Sequence, residues 1–197
     1  GSLGIAPSPR PTASALSPRL VDASEGLPST DRTVQQLAIS ADRRFVAALG
    51  EDPLRVFWAD TGLAAFEPEG ALRDATAIAF HPAEPLLGLG LPDGDVALYH
   101  CDRGEVTGVL RSAAGDVDDL AFRPDGGELA VAQLGGVRRW SLDGGHVAGT
   151  VPLSRNMHHV RIAWSPNGSR LAVAGLGGAF IWDVDRGERA CALDRGH

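Results

Sequence analysis

Residues 159–183 read HVRIAWSPNGSRLAVAGLGGAFIWD, and the order of signals within them decides the fold. Residues 159–164 (HVRIAW) carry the β-branched and aromatic side chains of a strand. Ser165-Pro166-Asn167-Gly168 then supplies Pro for the first central position of a tight turn and Gly for a position of positive φ. Residues 170–176 (RLAVAGL) make a second strand, Gly177-Gly178 turns the chain, and residues 179–183 (AFIWD) make a third. Asp185-Arg186-Gly187 turns into a fourth strand over residues 189–193. The expectation is one antiparallel sheet of four short strands.

Working outward, the same unit recurs three times upstream. Its first anchor is Ile39, Phe80, Phe122 and Trp164, separated by 41, 42 and 42 residues. Its second is Phe57, Tyr99, Trp140 and Trp182, separated by 42, 41 and 42. Arg123-Pro124-Asp125-Gly126 and His81-Pro82-Ala83-Glu84 stand at the first turn, and Asp60-Thr61-Gly62, Asp102-Arg103-Gly104 and Asp143-Gly144-Gly145 at the last. A period of about 40 to 45 residues with four strands per unit is the pattern of a propeller blade. The expected fold class is therefore all-β, a β-propeller of four-stranded antiparallel blades. The blades fall at about 33–68, 74–110, 116–151 and 158–193.

The second strands (FVAALG, LLGLGL, LAVAQL, LAVAGL) are apolar on both faces. A sheet with one wet face alternates instead, so both faces of each sheet are expected to be covered, as radial stacking does. Phe57, Phe80, Tyr99, Phe122, Trp140, Trp164 and Trp182 are the expected core aromatics.

The units resemble WD40 repeats over residues 33–197. The matching residues are Trp182-Asp183, the segments Ala163-Trp164-Ser165-Pro166-Asn167-Gly168 and Ala121-Phe122-Arg123-Pro124-Asp125-Gly126, and Gly196-His197. One unit keeps Trp-Asp; the others read Phe57-Trp58, Tyr99-His100 and Trp140-Ser141. The family's buried His-Ser-Asp-Trp network is thus incomplete, and stability must lean on packing. Gly196-His197 opens a fifth unit. Three completions stay open: a longer propeller, two four-blade chains closing an eight-blade ring, or a compact four-blade ring.

Composition bounds the rest. The chain has 197 residues, 44% of them hydrophobic and 22% charged, ordinary for a globular protein. The longest apolar runs, residues 86–91 and 171–176, are far shorter than a membrane span, so no membrane association is expected. Net charge is −7 and all 18 basic residues are Arg, against a general nucleic-acid surface. The Arg-only, Ala- and Gly-rich composition suggests a bacterial source. Cys101 and Cys191 stand 90 residues apart at non-equivalent repeat positions, which favours reduced thiols and a cytoplasmic location. Residues 1–32 read as a tag scar (Gly1, Ser2) and a Pro-, Ser- and Ala-rich leader with one candidate strand at 19–23.

Candidate partner-binding residues are Arg55, Trp58, Arg138, Arg139, His158 and His159. Trp58 follows the core aromatic and is directed to the other side of its strand, either into packing or into an interface. Arg139 interrupts the apolar column of Val56, Leu98 and Ile181, which calls for a carboxylate such as Asp116, Asp118 or Asp119, or for a partner. Asp119 and Arg161 share a column in consecutive blades, the arrangement of an inter-blade salt bridge. Adjacent His158 and His159 suggest a metal, but strand neighbours point to opposite faces and no third ligand stands nearby. Gly175-Leu176-Gly177-Gly178 and Gly88-Leu89-Gly90 recur with the repeat and need no phosphate. No nucleophile motif or paired-carboxylate constellation is found, and no metal or cofactor is expected.

The expected function is a non-enzymatic protein-interaction platform or sensor module of a larger protein. It would bind a protein or peptide on the ring face, framed by loops near 51–55, 92–95, 135–138, 154–159 and 177–179. The alternatives are a structural half-propeller that pairs into an eight-blade ring and an enzyme with a channel site assembled across blades.

Overall fold

The computed structural model describes residues 33–193 apart from 67 and 113; the leader, its candidate strand at 19–23 and Gly196-His197 lie outside them. Strands follow in groups of four. The first group is β1 (Val34–Ile39), β2 (Phe45–Gly50), β3 (Arg55–Trp58) and β4 (Ala64–Phe66). A 3-10 turn over Gly70–Asp74 leads to β5 (Ala77–Phe80), β6 (Leu86–Gly90), β7 (Val96–His100) and β8 (Glu105–Leu110). The third group is β9 (Val117–Phe122), β10 (Glu128–Gln133), β11 (Gly136–Ser141) and β12 (His146–Pro152), and the fourth β13 (His158–Trp164), β14 (Arg170–Leu176), β15 (Gly178–Asp183) and β16 (Glu188–Leu193). Each group is one antiparallel sheet with its strands in chain order, so the protein is a β-propeller of four blades.

The turn chemistry forms as the residue types dictate. Gly168 N donates to the Ser165 carbonyl at 2.8 Å, and Gly126 N to that of Arg123 at 2.9 Å. Both glycines sit at positive φ, 69° and 78°. In these positions an L side chain is strained.

Register assigns every side chain to a blade face. Ile78, Leu87, Leu89, Ala97 and Tyr99 of the second blade meet Phe45, Leu49, Val56 and Trp58 of the first. On its opposite face Ala77 and Val96 meet Leu120, Phe122, Leu129 and Trp140 of the third. There a Cβ added to Gly90 would lie 2.6 Å from Val117, so the missing side chain is what lets these sheets close. Ala130, Ala132 and Val137 of the third blade then meet Ile162, Leu171, Val173 and Phe180 of the fourth. At the last two junctions a face of small residues receives a face of large ones.

Covering both faces holds for the inner blades alone. Along β6 every residue is buried, and along β10 nearly every one. Along β2 and β14 buried positions alternate with more open ones. The reason is position: blade-to-blade packing runs β1 and β2 on β5, β5 and β6 on β9, and β9 and β10 on β13. Among the described residues no comparable packing joins the fourth blade to the first. Among the described residues, no strand packs on the outer face of either end blade.

Candidate functional site

The first strands of the blades, β1, β5, β9 and β13, pack in succession, and a chain of side chains links them. Gln36 Oε1 accepts from Ile78 N at 2.9 Å, and Gln36 Nε2 donates to Asp119 Oδ1 at 3.3 Å. Asp119 Oδ2 accepts from Ile162 N at 2.9 Å, and Asp119 Oδ1 from Leu120 N at 3.0 Å. One amide and one carboxylate thus tie all four blades. Asp119 is 6% exposed. Burial raises its pKa above the usual carboxylate value, opposed by the N–H groups of Ile162 and Leu120, by the charge of Arg161 and by the Gln36 amide. The expected Asp119–Arg161 salt bridge takes a different form: Arg161 Nη1 donates to the Asp118 carbonyl at 2.6 Å, while Asp119 holds the backbone beside Arg161.

Next to this hub, where the chain enters the third and fourth blades, lies a recess of about 410 Å³. Gly115, Asp116, Asp118, Leu134, His158 and His159 line it. Two irregularities build it. The pairing of β9 with β10 slips between Ala132 and Gln133, which leaves Asp118 outside the ladder. The pairing of β13 with β14 slips between His158 and Arg161, and His159 adopts φ 50°. Bulges of this kind re-aim side chains at barrel rims, and a left-handed residue other than Gly stores strain of about 1 kcal/mol or more. Strand alternation would part the two histidines; the bulge puts both on one cavity. The result is two carboxylates and two imidazoles around one aliphatic side chain, a shape and charge suited to a cationic side chain with an apolar stem. Among the described residues no group of three or more His, Cys, Asp or Glu could hold a metal ion.

The other sequence candidates lie elsewhere. Trp58 is 6% exposed and packs on Phe45 with ring centroids 4.8 Å apart. Arg55 lies on the open face of the first blade. Arg138 is drawn inward, where it donates to the Ser112 carbonyl at 3.1 Å, to the Ser112 hydroxyl and to Gln133 Oε1. Arg139 pairs within its own blade, but with Glu128 at 3.1 Å and not with Asp116, Asp118 or Asp119. Residues 128 and 139 lie on neighbouring strands, and Glu128 also binds Arg123 at 3.2 Å. Of the core aromatics, Tyr99, Phe122 and Trp140 are buried; Phe57, Phe80, Trp164 and Trp182 are half-buried. Trp164 Nε1 donates to the Ala121 carbonyl at 3.0 Å across the third junction.

Two residues that sequence reasoning passed over hold the second junction. Buried Gln133 donates from Nε2 to the Gly94 carbonyl at 2.7 Å and to that of Gly115 at 3.3 Å. His81 Nδ1 accepts from Ala83 N and Glu84 N, which leaves Nε2–H to donate to the Gly126 carbonyl at 3.1 Å. The signal for Gln133 was a lone polar residue ending an apolar strand. His81 sits in a turn column whose other members are Ser and Arg, and gave no such signal.

No family model matches the chain. Over 115 residues it is 33% identical to a protein of Schizosaccharomyces pombe named as target of rapamycin complex subunit wat1. That stretch covers 57% of this chain and 36% of the yeast protein, so the match spans about a third of the relative's length.

Proposed function

We propose that this propeller is a non-enzymatic protein-interaction module of the WD40 kind that presents its ring face to a partner. The observation that carries the reading is the recess at Asp116, Asp118, His158 and His159, formed where two bulged strands meet on a rigid, hydrogen-bonded hub. Similarity to a protein named as a subunit of a complex supports the same reading. The recess takes an Arg or Lys side chain of a partner protein, with Leu134 against the aliphatic stem and the carboxylates near the cation. The unpaired cysteines, one buried and one exposed, and the Arg-only composition support a bacterial, cytoplasmic setting.

The test is fluorescence anisotropy against a panel of short peptides with and without a central Arg or Lys. Cationic peptides should bind the wild type, and Asp116→Lys with Asp118→Lys should weaken them at least tenfold at an unchanged melting temperature. Binding that survives the double reversal would remove the recess as the site.

A further inference from the structure

The two open faces of the propeller match each other by the rule that governs its inner junctions. On the first blade the open face carries Val34, Leu37 and Ile39, 58%, 64% and 63% exposed, with Val46 and Phe57 beside them. Column by column these correspond to Val117, Leu120, Phe122, Leu129 and Trp140, the large residues that the third blade presses into the second. On the fourth blade the open face carries Ala163, Ala172, Ala174 and Ala179. The first three correspond to Ala121, Ala130 and Ala132, the small residues with which the third blade receives the fourth. A hollow of about 580 Å³, lined by Ala174, Gly175, Leu176, Ala179 and Leu193 among others, opens on that blade.

We propose that a second copy of this chain covers both faces: the large open face of one copy's first blade docks on the small open face of the other's fourth blade. Two such contacts related by a two-fold axis close a ring of eight blades, within the known range of propellers. Contiguous exposed apolar residues mark an interface, and a closed pair makes two such contacts. The hollow shares no lining residue with the recess proposed to bind partners, although Leu176 of the one pairs with His158 of the other.

Because the contact joins unlike faces, it can be tested by complementation. Ile39→Arg damages only the first blade's open face and Ala174→Arg only the fourth's; both positions are exposed, and thermal melts check folding. By sedimentation velocity at about 50 µM, the wild type should run as a dimer and each variant alone as a monomer. An equimolar mixture should recover dimers through its one intact contact. A monomeric wild type would overturn the proposal and leave the faces to further blades or another protein. Dimers of either variant alone would overturn the head-to-tail pairing, as would a mixture that stays monomeric. Open-ended oligomers of the wild type would overturn ring closure.

Discussion

Replacing Asp119 by Asn sets two forces against each other at the centre of the propeller. Burial makes the carboxylate charge costly, as its raised pKa records, and Asn removes that charge at nearly constant shape. Yet the hydrogen-bond partners of the carboxylate, Ile162 N, Leu120 N and Gln36 Nε2, are all donors. The Gln36 amide cannot turn to help, because its oxygen is held by Ile78 N. The Asn NH₂ therefore confronts a donor whichever way it points. A hydrogen bond to a charged group contributes about 1.5–3 kcal/mol, and an orphaned buried N–H costs about 1–3 kcal/mol. Asn keeps the relief of burial but sets an NH₂ group against donors, so Asp119→Asn should lose about 2 kcal/mol, a fall of roughly 4–8 °C in melting temperature for a chain of this size. Asp119→Ala, which orphans Ile162 N as well, should lose about 3 kcal/mol.

The assay is urea unfolding at neutral pH, repeated in mild acid. A folded-state pKa above the ordinary 3.8 means that the folded chain holds the proton more tightly than the unfolded one. This group's contribution is then largest below the unfolded pKa and declines as pH rises through the folded one. The wild-type advantage over Asp119→Asn should accordingly be greater near about pH 4 than at neutral pH. An Asn variant equal to or more stable than the wild type at neutral pH would refute the reasoning.

Trp58→Ala, by emptying the space beside Phe45, should cost about 3–5 kcal/mol in chemical unfolding, whereas Trp182→Ala, half-buried on the fourth blade, should cost less than Trp58→Ala in the same assay. Glu128→Gln strands Arg139, leaves Arg123 with Asp125 at 3.5 Å as its remaining carboxylate, and should cost about 3 kcal/mol; an unchanged midpoint would show that the Arg139 pair is solvated. Burial pushes the Cys101 thiol up to about 12, while Cys191 is exposed. A thiol reagent at neutral pH should thus modify one cysteine in the native protein and two in urea, with mass spectrometry placing the first label on Cys191.

The blade count, strand order and turns were legible because they depend on local chemistry repeated four times. Pro-Asn-Gly and Asp-Arg-Gly close turns wherever they occur, and two aromatic columns in one period admit few architectures. The strands of the fourth unit begin within a residue of where its turn signals place them. What failed to transfer from sequence was contact between units. Alternation along a strand separates His158 from His159, and only the bulge in β13, with His159 left-handed, sets them on one recess with Asp118. The column break at Arg139 pointed to a carboxylate, but the register of β10 against β11 chose Glu128 over three aspartates in the same blade.

By itself, then, the sequence determined a β-propeller of four repeated sheets, with polar turns and a core of aromatic and small residues. Those features follow from side-chain size, turn preference and period, which act over a few residues. Tertiary structure alone decided that Asp119 and Gln36 tie the four blades together and that Gln133 and His81 hold a junction. It also decided that apolar strands with the same pattern are covered on both faces in the inner blades and on one face at the ends. A strand's pattern records which faces are apolar; which faces are covered depends on the neighbouring sheet, and among the described residues the end blades have one neighbour each.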